Sequence, residues 1–207
     1  MGKQREMAEK LATQDRPLDS PVAPADWSDR KAWDRYLHAN YNHGPFGVPT
    51  QVGARGWQSV RFLDLVKARG GRIWFPGCGT DIAPRFYSSV GCSVVATDFS
   101  AVAIRAQRTF AAAPAERLFT NWSSFVRQTN APLSGWDGGR FVVAEEDITV
   151  AAPNGVFDVV LNCRAFQGML NNAKRMAAER FLGALRPGGA AVIDTMNVQG
   201  SAARNEI

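Results

Sequence analysis

The chain has 207 residues, 45% of them apolar, which suits one globular domain with a modest appendage rather than two full domains. No apolar run approaches the roughly 18 residues a membrane span requires, and the first residues are too polar for a secretory signal. The net charge of +5 is spread singly: seven basic residues meet seven acidic ones up to Arg35, and seventeen meet twelve beyond it. Such scatter argues against a nucleic-acid stripe and for a mildly basic, solvated surface. Cys78, Cys92 and Cys163 show no paired or metal-ligand spacing, so a reducing, cytoplasmic setting without a bound metal is expected.

In chain order, residues 1–25 read as a frayed helix and flexible linker punctuated by Pro17, Pro21 and Pro24. Residues 26–56 read as a helix, Trp27 to His38 with Asp26 or Ser28 as its cap, followed by a lid-like Gly/Pro loop. From residue 57 to 207 the pattern becomes a single larger unit. A helix over Val60–Lys67 ends at Gly70-Gly71, and Ile73-Trp74-Phe75 forms a first strand. The turn Pro76-Gly77-Cys78-Gly79-Thr80-Asp81 leads into a helix through Ser88. Ser93–Asp98 is a second strand, and Ser100 caps a helix to about Ala112. A helix from Phe119 to Gln128 and a loop from Asn130 to Gly139 precede a third strand at Phe141–Ala144. Phe157–Leu161 is the fourth strand, and a helix runs from about Ala173 to Leu185. Pro187-Gly188-Gly189 stops that helix, and Ala190–Met196 is the fifth strand. Alternating strands and helices predict an α/β, Rossmann-like doubly wound parallel sheet, covered on both faces, with strand order 3-2-1-4-5.

In such sheets ligands bind at the carboxyl ends of the strands, where the strand order reverses. The Gly77–Asp81 turn, Asp98 and Asp147 all fall there. Glycines after the first strand let backbone approach a ligand, and an acid ending the second strand sits where ribose hydroxyls are held. A dinucleotide needs bare helix amides for its pyrophosphate, commonly with a third glycine. Here Ile82 takes that glycine's place and Asp81 brings a carboxylate that repels phosphate. S-adenosylmethionine has no phosphate and carries an ammonium and a sulfonium, so Asp81 suits it as a ligand contact, a helix cap, or both.

Phe75-Pro-Gly-Cys-Gly-Thr-Asp81, Ala96-Thr-Asp-Phe-Ser100, Glu146-Asp-Ile148, Phe157-Asp-Val-Val160 and Leu185-Arg-Pro-Gly-Gly189 together resemble the class I S-adenosylmethionine-dependent methyltransferases. The Pro-Gly-Cys-Gly turn and the long stretch between the second and third strands are similar to the thiopurine methyltransferase branch. The glycine turn departs from that branch, because Thr80-Asp81 replaces a longer Gly-x-Gly-x-Asp form. The resemblance implies that Gly77, Cys78 and Gly79 flank the methionine part and that Asp98 grips the ribose. It also implies that Phe99 packs on the adenine, that Asp147 and Ile148 bound the ring, and that Asn162 or Cys163 lies near the sulfonium.

Trp33, Tyr41, His43 and Arg164 are candidates for the acceptor side, the aromatic segment Trp27–Tyr41 serving as a lid or packing as a plain helix. Arg164 equally well pairs with Asp158 or Asp194. The segment after the fourth strand, Asn162-Cys-Arg-Ala-Phe-Gln167, lacks the Asn-Pro-Pro-Tyr form of nucleic-acid or protein amide methylation, which favours a small-molecule acceptor over nucleic acid, with no membrane partner. The resulting expectation is a methyltransferase that leaves S-adenosylhomocysteine as product. The rivals are a non-catalytic cofactor-binding module and a nicotinamide-dependent oxidoreductase. The family continues past the fifth strand with a helix and an antiparallel pair, whereas Ile207 follows Met196 by eleven residues. Two explanations fit, a truncated form of a longer domain or a second chain, another copy or a partner, that covers the apolar fifth strand, and in either case an exposed edge that tends to associate is expected.

Overall fold

The computed structural model describes residues 24, 26–40, 62–114, 118, 139–163, 165–166 and 169–194; the side chains of residues 40, 163 and 194 are outside this description. Along the chain lie α1 (Arg30–Asn40), α2 (Leu63–Arg69), β1 (Arg72–Pro76), α3 (Ala83–Ser89), β2 (Ser93–Asp98), α4 (Ala101–Ala112), β3 (Phe141–Glu145), β4 (Phe157–Cys163), α5 (Asn171–Ala184) and β5 (Leu185–Asp194). The five strands form one sheet of order β3-β2-β1-β4-β5, every neighbouring pair parallel, as the alternating pattern predicts. The chain winds outward from β1 to β3 and then crosses to the other side at β4. This reversal puts the switch point between the carboxyl ends of β1 and β4.

The central strands are buried on both faces, which is why they read as near-continuous apolar runs. On one face Ile73 and Phe75 of β1 pack with Val66 of α2, Phe86 and Tyr87 of α3, and Phe110 of α4. On the other, Trp74 of β1 packs with Val160 of β4 and with Phe181 and Ala177 of α5. The Trp74 indole meets Phe181 edge-on at 5.5 Å and donates its Nε1–H to Thr97 Oγ1 at 2.9 Å, so its one polar atom is satisfied inside the core.

Two local assignments change. The cap of α1 is Asp29, not Asp26 or Ser28: its Oδ1 accepts from the Ala32 amide at 2.9 Å, while Asp26 closes a separate turn by accepting from Ser28. Asp29 wins because it directly precedes the first helical residue, where a short carboxylate reaches a free amide. Asp29→Ala should cost about 1 kcal/mol in a denaturant melt, and an unchanged midpoint would remove Asp29 from that role. Second, Pro187-Gly188-Gly189 does not separate α5 from the fifth strand. β5 begins at Leu185 directly after α5 and carries the Pro-Gly-Gly within it. Phe157 pairs with Leu185, Val159 already with Ala190, and the slack is taken up opposite Asp158. Asp158 is paired by Arg186 of this irregular stretch and also accepts from the Arg72 amide at 2.8 Å, while the pairing of Arg164 weighed from the sequence lies outside the described residues.

The helix expected at Phe119–Gln128, most of the following loop and everything after Asp194 also lie outside the description. β5 is the outer strand on its side of the described sheet, and its Ile193 is 40% exposed. No described helix is long and apolar enough to cross a membrane.

Candidate functional site

The β1–α3 turn is built around two left-handed glycines, Gly77 at φ +60° and Gly79 at φ +54°. Gly77 faces the turn after β4 so closely that a Cβ on it would lie 2.5 Å from the Ala165 Cβ. Only glycine combines that backbone angle with that approach. Gly79 is gripped from two sides. Its amide donates to Asp98 Oδ2 at 2.8 Å, and its carbonyl accepts from Gln107 Nε2 at 3.0 Å. The same Gln107 Nε2 donates to the Asp81 carbonyl at 2.6 Å, while its Oε1 is buried with no partner. The side chains of Cys78 and Asp81 point away from an open turn. Cys78 is 3% exposed within the core, and burial, with the carboxylates of Asp98 and Asp81 nearby, pushes its thiol pKa well up. Asp81 Oδ1 accepts from the Ala83 amide at 2.9 Å, but the cap position of α3 falls to Ile82, whose carbonyl accepts the first helical bond, so the capping role weighed from the sequence is displaced by one residue.

Asp98 ends β2 as expected and is almost completely buried. Beside Gly79, it accepts from the Ser100 amide through Oδ1 at 2.8 Å. Burial raises its pKa to about 6, the backbone amides of Ser100, Gly79 and Phe99 pulling it down and Asp34 pushing it further up. Asp34 comes from α1. It takes the hydroxyl hydrogen of Ser100, the α4 cap, and accepts from the Val102 amide at 3.2 Å.

Next to Asp98, Phe99 is 8% exposed and is covered by Trp27, whose ring stacks on it at 5.3 Å and 11°. The Arg30 guanidinium lies 5.9 Å from the centre of the same ring. Across from Phe99, Asp147 Oδ1 accepts from the amide and hydroxyl of Thr149 at 2.9 and 2.7 Å, and Ile148 is buried. Gly77, Asp98, Phe99, Glu146, Asp147, Ile148 and Trp27 line one cavity of about 10 Å³. Glu146 Oε2 and Trp27 Nε1 are buried and without partners, and burial raises the Glu146 pKa.

Six of the residues singled out from sequence therefore meet at one place, five of them lining the cavity and Gly79 bonded directly to Asp98. Asn162 is close by but already engaged: its Nδ2 donates to the Pro76 carbonyl and its Oδ1 accepts from the Phe166 amide, both at 3.0 Å. It thereby ties the end of β1 to the turn after β4. Cys163 ends β4, its backbone in register with Asp194. Trp33 packs edge-on against Trp27 at 5.7 Å and against Tyr36 at 5.4 Å, away from the cavity lining. Tyr41, His43 and Arg164 lie outside the described residues. Among the described residues no cluster of His, Cys, Asp or Glu is arranged to hold a metal.

Three contributors escaped the sequence reading. Gln107 had a signal, being a polar residue on the α4 face that carries Ala103, Ala106 and Phe110 inward. Glu146 stood beside Asp147 but was overshadowed by it. Asp34 had none, because its partner Ser100 is 66 residues away.

No protein-family model and no curated protein matches this chain. Among solved structures, S-adenosylmethionine-bound CalS10, an amino pentose methyltransferase from Micromonospora echinaspora involved in calicheamicin biosynthesis, aligns with TM-score 0.50 and 16% identity over 71% of this chain and 53% of that one. The glycopeptide N-methyltransferase MtfA complexed with S-adenosylmethionine aligns with TM-score 0.49 and 16% identity over 71% and 56%. A TehB-like methyltransferase from Corynebacterium glutamicum aligns with TM-score 0.47 and 20% identity over 68% and 62%. The chain thus spans between 53% and 62% of the length of these neighbours. The five parallel strands in order β3-β2-β1-β4-β5, helices on both faces and the likeness to the amino pentose enzyme give this chain the Rossmann-like fold of the class I methyltransferases.

Proposed function

We propose that the chain binds S-adenosylmethionine at the carboxyl ends of β1 and β2 and transfers its methyl group to a small-molecule acceptor. One observation carries the reading: the Gly77–Gly79 turn, the buried Asp98 bonded to it, and the Asp147–Ile148 corner converge on a single cleft beside the switch point. The residues fit that cofactor. Gly77 leaves no Cβ where the methionine part would run, and Asp98 keeps acceptor capacity for ribose hydroxyls beyond its two backbone donors. Glu146 Oε2 is a buried acceptor without a donor, placed where a nucleobase amine would supply one. Nothing in the cleft resembles a pyrophosphate cradle: the carboxylates of Asp98, Glu146 and Asp147 line it, and a diphosphate there would meet like charge.

When bound, the cofactor would supply an electrophilic methyl on a sulfonium, open to in-line displacement by an acceptor's lone pair with the sulfur as leaving group. The chain's own work is positioning and exclusion of water. Gln107 and Asp98 hold Gly79 from opposite sides, and Asn162 holds the facing turn, so the two walls of the cleft cannot drift apart. A general base is required only for an acceptor that must lose a proton before attack. The neighbours' acceptors, an amino pentose and a glycopeptide by their names, make amine-bearing small molecules the first class to assay.

Thermal melting with candidate ligands tests the cofactor. S-adenosylhomocysteine should raise the melting temperature in a concentration-dependent way, whereas nicotinamide dinucleotides should not. The reverse pattern would replace this reading by the oxidoreductase one. Release of S-adenosylhomocysteine from a panel of amines, thiols and phenols tests the transfer, and binding without turnover on any of them would favour the non-catalytic module.

A further inference from the structure

The cleft just described is shut, and the group that shuts it belongs to this chain. Trp27 stacks on Phe99 with the two rings nearly parallel, the interaction a planar nucleobase would make with the same ring. An indole and an adenine are both flat bicycles of fused five- and six-membered rings, so each excludes the other from that face. The space left among Trp27, Gly77, Asp98, Phe99 and Ile148 is about 10 Å³, room for about one water and far below a small-molecule site of some hundreds of Å³.

We propose that Trp27 is a displaceable plug of the nucleoside site, carried on the entry to α1, and that ligand binding requires this entry to swing off Phe99. The inference rests on the cofactor reading above. Two features show that the plug is held and yet imperfectly seated. α1 is held on the start of α4 by Asp34 on the cap residue Ser100 and on Val102 and by Leu37 against Val102 and Ala103, and on the end of β3 by Arg30, whose Nη1 donates to Glu145 Oε1 at 2.5 Å. The Arg30–Glu145 pair is about half-exposed on both sides, so it yields readily. Inside the plugged cleft, Trp27 Nε1–H lacks an acceptor and Glu146 Oε2 lacks a donor, each a desolvated group left unpaired. The indole therefore leaves unmet at least one demand that an amine-bearing base would meet. In the closed state the apparent affinity is the intrinsic one reduced by the open fraction.

The test compares the wild-type chain with W27A and R30Q, titrated calorimetrically with S-adenosylhomocysteine and with adenosine, with association rates by stopped flow. W27A should bind both ligands about tenfold tighter, the gain appearing mainly in the association rate. Adenosine should gain as much as the full ligand, because the indole blocks the base and not the methionine end. R30Q leaves every lining residue intact and should shift affinity the same way by a smaller factor. Equal or weaker binding by W27A overturns the plug and makes Trp27 a wall of the ligand-bound site. If W27A does not fold, R30Q decides alone, unchanged or weaker binding being the overturning result. Failure of all three proteins to bind either ligand removes the cofactor reading and the plug with it, whereas binding without gain removes the plug only.

Discussion

Replacing Gly77 by alanine should cost the ligand-free protein about 3 kcal/mol and abolish its stabilisation by S-adenosylhomocysteine. Two costs add. The residue sits at φ +60°, in the left-handed region that an alanine enters at about 1–2 kcal/mol. Its new Cβ would also stand 2.5 Å from the Ala165 Cβ, and overpacking of this kind costs about 1–3 kcal/mol. Ala165 has little room to retreat, because Asn162 anchors its turn to Pro76 and Phe166. Relief must therefore come from β1's end, which moves the glycine turn away from Asp98. Gly91→Ala separates the two costs: that position has φ +95° but no atom within 4 Å of an added Cβ, so it should show the backbone cost alone and keep ligand stabilisation. Equal losses for the two variants, or retained ligand stabilisation in Gly77→Ala, would sink the account of the close approach.

Asp98→Asn should weaken S-adenosylhomocysteine binding by about 1.5–3 kcal/mol, on the order of 10- to 150-fold, while shifting the ligand-free melting temperature far less. The carboxylate serves two backbone amides, Gly79 and Ser100, and an asparagine offers one oxygen to both. It also loses the charge that, on the proposed reading, would draw ribose hydroxyls. The ionised acid is, however, already disfavoured by burial, as its pKa of about 6 against an ordinary 3.8 records, so removing the charge offsets part of the lost bonding in the empty protein. Affinity and stability then carry opposite pH dependences. The unfolded chain releases this proton near its ordinary value and the folded chain near 6, so ligand-free stability falls as pH rises from about 4 to about 6. Binding that needs the ionised acid strengthens over the same rise, levels off above about pH 6, and weakens by up to tenfold per unit below it. Calorimetry across that range on both proteins checks this, the asparagine variant giving a flatter profile. A pH-independent wild-type constant would place the ribose elsewhere.

Much of this protein is legible in its sequence because the features concerned are local or periodic. The apolar runs Ile73–Phe75 and Phe157–Leu161, separated by helical segments, specify a parallel sheet with both faces covered, and the structure has that sheet in that order. Asp98 falls at the end of β2 because strand length is set by the run of residues that can be buried, and Ser100 caps α4 because a hydroxyl before a helix has an amide within reach. The strand with Pro-Gly-Gly inside it was not legible. Those residues break regular structure on their own, and only pairing with β4, with Arg186 drawn to Asp158, carries the strand through them.

The rest was decided by contacts between residues far apart in the chain, which no local pattern records. The 2.5 Å approach that fixes Gly77 as glycine involves Ala165, and the cap of α4 is completed by Asp34 from α1. The ring on Phe99 belongs to Trp27, a residue that sequence alone leaves divided between lid and plain helix packing. Residue types and spacing thus determined where the cleft at the strand ends would form. Tertiary packing decided that Gln107 and Asn162 brace it and that the chain's own indole closes it, because each of these depends on which distant groups the fold leaves within hydrogen-bonding or van der Waals reach.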